Sequence, residues 1–293
     1  MPPRLIHSLA GAFALMMMPS IASADVPETV YFASADGRTE IVGYLFRPAG
    51  NGPFPAMVLL HGRGGLYSSN ANADCTLVAR SVSSACNAAT LSKRHRMWGE
   101  YWVARGYLAL FADSFGPRGK GRGFGRFTHD DPEREDVNER TVRPLDAEGA
   151  LAYLKSRSDV IANNIFLQGW SNGGSTVLNV IHRQGTKTAG FRAALAFYPG
   201  CGPQSLLGRT LATTTQVTMF LGSEDEEVSP TICQRVAERS RAAGSPIDVV
   251  LYQGATHGFD DPGRRRQSNP ANRAARSDAL QRAIDLIDSR RGN

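Results

Sequence analysis

QGWSNGGST, residues 168–176, sets a serine between glycines directly after the apolar run Ile165-Phe166-Leu167. Gly169-Trp170-Ser171-Asn172-Gly173 reads glycine, any, serine, any, glycine. So short a pattern arises by chance, and a polar residue in a glycine-rich loop satisfies it equally well. The flanks decide between the two readings. A strand-like run precedes the serine and Thr176 to His182 follows with helical spacing, which is the strand, turn and helix of a nucleophile elbow. Glycines at 169 and 173 let the turn close tightly. Ser171 then projects above the strand end with a helix N-terminus behind it, where developing negative charge is favoured.

A serine hydroxyl is a weak nucleophile near neutral pH and requires a base, which in turn requires a group to orient it. In an elbow of this type the chain order is serine, acid, histidine. Two histidines follow Ser171. His182 falls inside the expected helix and points away from the turn, whereas His257, in YQGATHGFD, lies in a loop just beyond the run Ile247 to Tyr252. Between serine and histidine, MFLGSEDEEVSP ends an apolar run at Gly222 and continues with four acidic residues. Asp225 is the expected acid and Glu224 the alternative, with Glu226 and Glu227 read as solvated charges. For an oxyanion hole, LLHGRGGLY offers backbone amides at a strand end, so Asn172 is expected to give one amide and Arg63 or a neighbouring glycine the other. His61 precedes the serine, against the expected order, and is read as structural.

Outward from this stretch, apolar runs bounded by glycine, proline or charge recur at Ala56 to Leu60, Leu108 to Ala112, Ala193 to Tyr198, Val217 to Leu221 and Ile247 to Tyr252. Continuous apolar character suits strands covered on both faces. Helical spacing occupies Met97 to Arg105, Leu145 to Lys155, Thr231 to Ala243 and Ser277 to Arg290. Thr29 to Ala33 and Glu40 to Phe46 flank Asp36-Gly37 as an antiparallel hairpin. The alternation predicts an α/β fold: a mostly parallel sheet with helices on both faces. Two segments, Tyr67 to Leu91 and Phe115 to Asn138, are longer than ordinary connections. The second contains GPRGKGRGFGR, whose glycines fit no nucleotide-binding spacing, and reads as a surface segment beside the site.

Residues 1–24 have the form of an export signal: Arg4, an apolar stretch from Leu9 to Met18 too short to span a bilayer, and Ala22-Ser23-Ala24 as a cleavage site. Residues 25–293 are then expected to form a single domain with no stable membrane insertion. The formal net charge is +6, partly in clusters such as Arg264-Arg265-Arg266, and without a recognised reading module it does not indicate nucleic-acid binding. Export would set Cys75, Cys86, Cys201 and Cys233 where disulfides persist. Cys75 with Cys86 would close a short loop and Cys201 with Cys233 would tie a post-strand turn to the next helix, although three connectivities are open. Cys201, in YPGCGP, is the other candidate nucleophile.

Six stretches in this order, LLHGRGGLY, GYLALFADSFGPRG, GWSNGG, FYPGC, FLGSEDEEVSP and YQGATHGFD, resemble the dienelactone hydrolase family. The resemblance implies an α/β-hydrolase fold, Ser171, Asp225 and His257 as triad, and the Arg63 and Asn172 amides as hole. The chain departs from the family prototypes in having serine where they carry cysteine and Gly62 where they carry a glutamate that activates it. Of two arginines that bind a substrate carboxylate in the prototypes, Arg118 matches the first, while Asp261 stands at the second. The expected reaction is hydrolysis of a small-molecule carboxylic ester or lactone by an exported enzyme needing neither metal nor organic cofactor. Tyr67, Trp98, Phe115, Trp170 and Tyr198 either line its pocket or pack in the core. A prolyl oligopeptidase-like peptidase, an acyltransferase and an inactive binding module on the same fold are the alternatives.

Overall fold

The computed structural model describes residues 26–187, 190–205 and 210–292, so the expected leader lies outside the described residues. Eight strands form one sheet: β1 Glu28–Ala33, β2 Glu40–Phe46, β3 Phe54–Leu60, β4 Leu108–Asp113, β5 Val160–Trp170, β6 Ala193–Phe197, β7 Gln216–Gly222 and β8 Ile247–Tyr252. Their order is β1-β2-β4-β3-β5-β6-β7-β8. The hairpin β1-β2 joins β4 antiparallel, and all later pairs are parallel. The hairpin turns as expected at Asp36-Gly37, where the Asp36 carboxylate accepts the Arg38 and Thr39 amides at 2.9 Å each and Gly37 takes φ +73°.

Five long helices cover the sheet: α1 Lys93–Val103, α2 Arg143–Lys155, α3 Asn172–Gln184, α4 Pro230–Ala242 and α5 Pro270–Asp288. Strand alternation sorts them onto two faces. Ala56, Val58 and Leu60 of β3 pack with α2, α3 and α4, while Met57 and Leu59 pack with α1 and α5. The second face is aromatic, with Trp98, Trp102, Phe111, Phe166, Trp170, Phe197 and Phe220 buried there.

Four boundaries differ from the sequence reading by four residues or more; two helices start earlier, α1 at Lys93 instead of Met97 and α5 at Pro270 instead of Ser277. β5 begins at Val160, ahead of the Ile165 to Leu167 run, because its first half carries the polar pair Asn163-Asn164 and pairs irregularly with β3. α3 starts at Asn172, four residues before the periodic stretch, since Gly173 and Gly174 allow its first turn to lie directly on neighbouring backbone. Disulfides join Cys75 to Cys86 within the long Tyr67 to Leu91 segment, and Cys201 to Cys233, which ties the chain after β6 to α4. Among the described residues no helix is long and apolar enough to cross a membrane.

Candidate active site

At the carboxyl edge of the sheet the chain leaves β5 through Ser171, with φ +53° and ψ −118°. Such a backbone is strained for a residue with a Cβ and persists only where its surroundings impose it. Here they do. A Cβ on Gly173 would stand 2.1 Å from the Leu60 carbonyl oxygen, and one on Gly169 would stand 2.4 Å from that of Gly173. The Ser171 amide donates to the Phe197 carbonyl at 2.9 Å, pinning the turn to β6. A serine at a helix N-cap ordinarily spends its oxygen on that helix, yet Ser171 makes no such bond. Its Oγ lies 3.0 Å from Nε2 of His257 instead.

His257 follows β8 and is held by its ring and by its backbone. Nδ1 stands 2.8 Å from Oδ2 of Asp225, the backbone amide donates to Glu226 at 2.9 Å, and the Tyr198 ring lies 4.6 Å away, centroid to centroid. Asp225, on the turn after β7, accepts the Glu227 and Val228 amides at 2.9 Å each. A carboxylate that only accepts requires the hydrogen on Nδ1, which leaves the Nε2 lone pair facing the serine hydroxyl. Glu224, the alternative acid, is exposed, and Nδ1 of the imidazole is engaged by Asp225. His61 is fully buried, where desolvation and then the nearby Arg143 charge pull its pKa well below the ordinary value. His182 is on the exposed outer side of α3.

The structure brings the other expected groups together unevenly. Among the described residues neither the Arg63 nor the Asn172 amide meets an intramolecular acceptor, as oxyanion donors require. By contrast, the expected pocket side chains lie elsewhere. Trp170 is 0 % exposed among Trp98, Phe111 and Phe197. Tyr67 is buried, its hydroxyl donating to Asp113 at 2.6 Å. Tyr198 is buried with its hydroxyl on Asp260 and so supports His257 from behind. Arg118 is held by Asp146 at 2.8 and 2.9 Å and by Asp36 at 3.4 Å, well occupied before any substrate arrives. Trp98 and Phe115 are core residues as well.

Two residues near Ser171 escape the sequence reading. Glu227 is no solvated charge: its carboxylate accepts from Arg63 Nη2 at 2.8 Å, meets Arg126 Nε at 2.8 Å and stands 3.7 Å from His257 Nε2. Arg143, at the start of α2, is fully buried and donates to the Asn172 side-chain oxygen and, at 2.7 Å, to the His61 carbonyl. It thereby ties the start of α3, directly after Ser171, to the segment that follows β3. Burial pushes its pKa down to about 10 against the pull of Asp146, Glu139 and Asp113. Only a Pro at the second helical position marked this stretch in sequence, as a helix start.

The sequence matches the model of the dienelactone hydrolase family over residues 89–290. Among solved structures, the fold is similar to a dienelactone hydrolase-like promiscuous phosphotriesterase from metagenomic libraries, at 19 % identity and TM-score 0.66, with 90 % of this chain and 98 % of that one covered. It is also similar to a thermophilic esterase from Thermogutta terrifontis, at 18 % identity and TM-score 0.59, covering 93 % of this chain and 97 % of that one. These likenesses concern the α/β-hydrolase fold, whereas the family match spans more than half of the chain. The sheet order, the elbow after β5 and the match over residues 89–290 agree, and the chain belongs to the dienelactone hydrolase family as a carboxylic ester hydrolase.

Proposed function

We propose that the protein is an exported serine hydrolase that cleaves small-molecule carboxylic esters or lactones through an acyl-enzyme on Ser171. The observation that carries this reading is the continuous line of contacts from Ser171 Oγ to His257 Nε2 at 3.0 Å and from Nδ1 to Asp225 at 2.8 Å. As the serine oxygen attacks the ester carbonyl, its proton passes to Nε2 and Asp225 stabilises the imidazolium. The Arg63 and Asn172 amides receive the oxyanion. Collapse of the tetrahedral adduct breaks the bond to the alcohol, which takes the proton from Nε2. Water then enters, gives its proton to Nε2 and attacks the acyl carbon, and the acid leaves with Ser171 restored.

Removal of residues 1–24 would leave residues 25–293 as the mature domain. Two cystine bridges support an oxidising destination, periplasmic or secreted. The test is a substrate panel of aryl and alkyl esters, lactones and proline amides offered to the mature protein. Turnover of esters or lactones that disappears in Ser171→Ala is expected. Turnover confined to proline amides would overturn the esterase reading in favour of a peptidase.

A further inference from the structure

The cavity into which Ser171 opens is small and polar. Its volume is about 20 Å³, where a single water needs roughly 10–15 Å³. Ser175, Ser205, Arg134 and Glu139 form much of its wall, and Val228 is one of two apolar side chains there. The wall is also fixed. The Ser175 hydroxyl donates to the Gly200 carbonyl at 3.0 Å and accepts the Gly200 amide at 2.9 Å. A Cβ on Gly200 would stand 2.7 Å from Ser205 Oγ, so this side is already filled. Arg134 and Glu139 face each other at 3.7 Å with side chains 8 % and 6 % exposed.

Resting on the hydrolase reading above, we infer that this cavity is the acyl subsite and admits acetyl-sized acyl groups, so that the substrates are acetyl esters of larger alcohols. Size and chemistry argue for this separately. A methyl group beside the carbonyl takes about the room of the water it displaces. A longer chain would have to run along the polar wall, and each added methylene would leave water to lie against hydroxyls, a guanidinium and a carboxylate. The usual gain of roughly fourfold per methylene entering an apolar pocket is therefore absent. Even in a hydrophobic pocket, a misfit of one methylene changes specificity by about 10- to 200-fold. The alcohol would leave the cavity on the side of Phe127, a lining residue that is 78 % exposed, and there it meets solvent instead of a wall.

The experiment measures kcat/KM for 4-nitrophenyl acetate, butyrate and hexanoate. Expected is a fall of at least about 10-fold from acetate to butyrate and a further fall to hexanoate. A value that is flat or rises with chain length overturns the inference. Val228→Ala removes two methyl groups from the wall while keeping the backbone amide that Asp225 accepts. It is expected to raise hexanoate relative to acetate by at least about 3-fold. An unchanged ratio overturns the assignment of the limit to this cavity. Absence of turnover on all three esters by folded protein would instead sink the hydrolase reading on which the inference rests.

Discussion

Replacing Arg143 by methionine tests whether the two segments proposed to hold the oxyanion depend on its guanidinium. The guanidinium bonds the Asn172 side-chain oxygen and the His61 carbonyl and lies 5.0 Å above the Phe115 ring. Methionine keeps much of the apolar contact and removes both bonds. Each buried acceptor left unpaired costs about 1–3 kcal/mol. Relief of the buried cation's desolvation returns part of this, for a net loss of about 2–3 kcal/mol. In a domain of this size that lowers the unfolding midpoint by roughly 5–10 °C. Activity is read well below that midpoint. Loss of a whole oxyanion donor costs about 10²–10³ in kcat, and a donor displaced rather than lost should cost about 10- to 100-fold. KM should hardly move, because the hole is strongest toward the transition state. Scanning calorimetry and steady-state kinetics on the wild type, Arg143→Met and Arg143→Lys check both arms, with lysine restoring part of kcat. An Arg143→Met variant with wild-type kcat and midpoint would refute the reasoning.

Gly173→Ala should abolish soluble, folded protein, since its Cβ would meet the carbonyl oxygens of Leu60 and His61 at 2.1 and 2.5 Å. Gly37→Ala has open space and only its φ of +73° against it, so circular dichroism should show it folded and weaker by about 1 kcal/mol. Burial acts to raise the pKa of Asp36, but hydrogen bonds from Thr39 and the Arg38 and Thr39 amides, with the Arg118 charge, bring it down to about 2. A depressed folded-state pKa stabilises above the unfolded value and is lost as pH falls from about 4 to about 2. Solvent screens part of this at a surface turn, so Asp36→Asn should cost about 1 kcal/mol in urea melts at pH 7 and much less at pH 2. An equal cost at both would contradict this. Cys201 and Cys233 close a loop with a separation of 32 residues. Replacing both with alanine should cost about 3–4 kcal/mol, read as a midpoint shift absent when wild type is first reduced.

The sheet was legible because its buried strands carry nearly unbroken apolar runs, such as Val58-Leu59-Leu60 and Met219-Phe220-Leu221, and the elbow because only glycine fits at 169 and 173. His257 and Asp225 were singled out by the expected chain order and by lying just beyond apolar runs, and both stand in line with Ser171. What the sequence could not carry is the direction in which a side chain points. Trp170 neighbours Ser171 in the chain, yet as the last strand residue it turns into the aromatic face instead of the cavity. Glu227 looks like its three acidic neighbours, and only the tight turn around Asp225 faces it toward Arg63. Arg143 lies 29 positions from Asn172, and nothing local announces that a guanidinium is buried there.

The central claim is that the Ser171 oxygen carries the acyl group. Treating the mature protein with a fluorophosphonate and measuring the mass of the peptide containing residues 168–176 tests it most directly. A stoichiometric adduct on Ser171, formed with loss of esterase activity and slowed by at least about 10³-fold in His257→Ala, is the predicted result. Full inactivation with the adduct on another residue, or labelling at Ser171 that leaves hydrolysis intact, would contradict it.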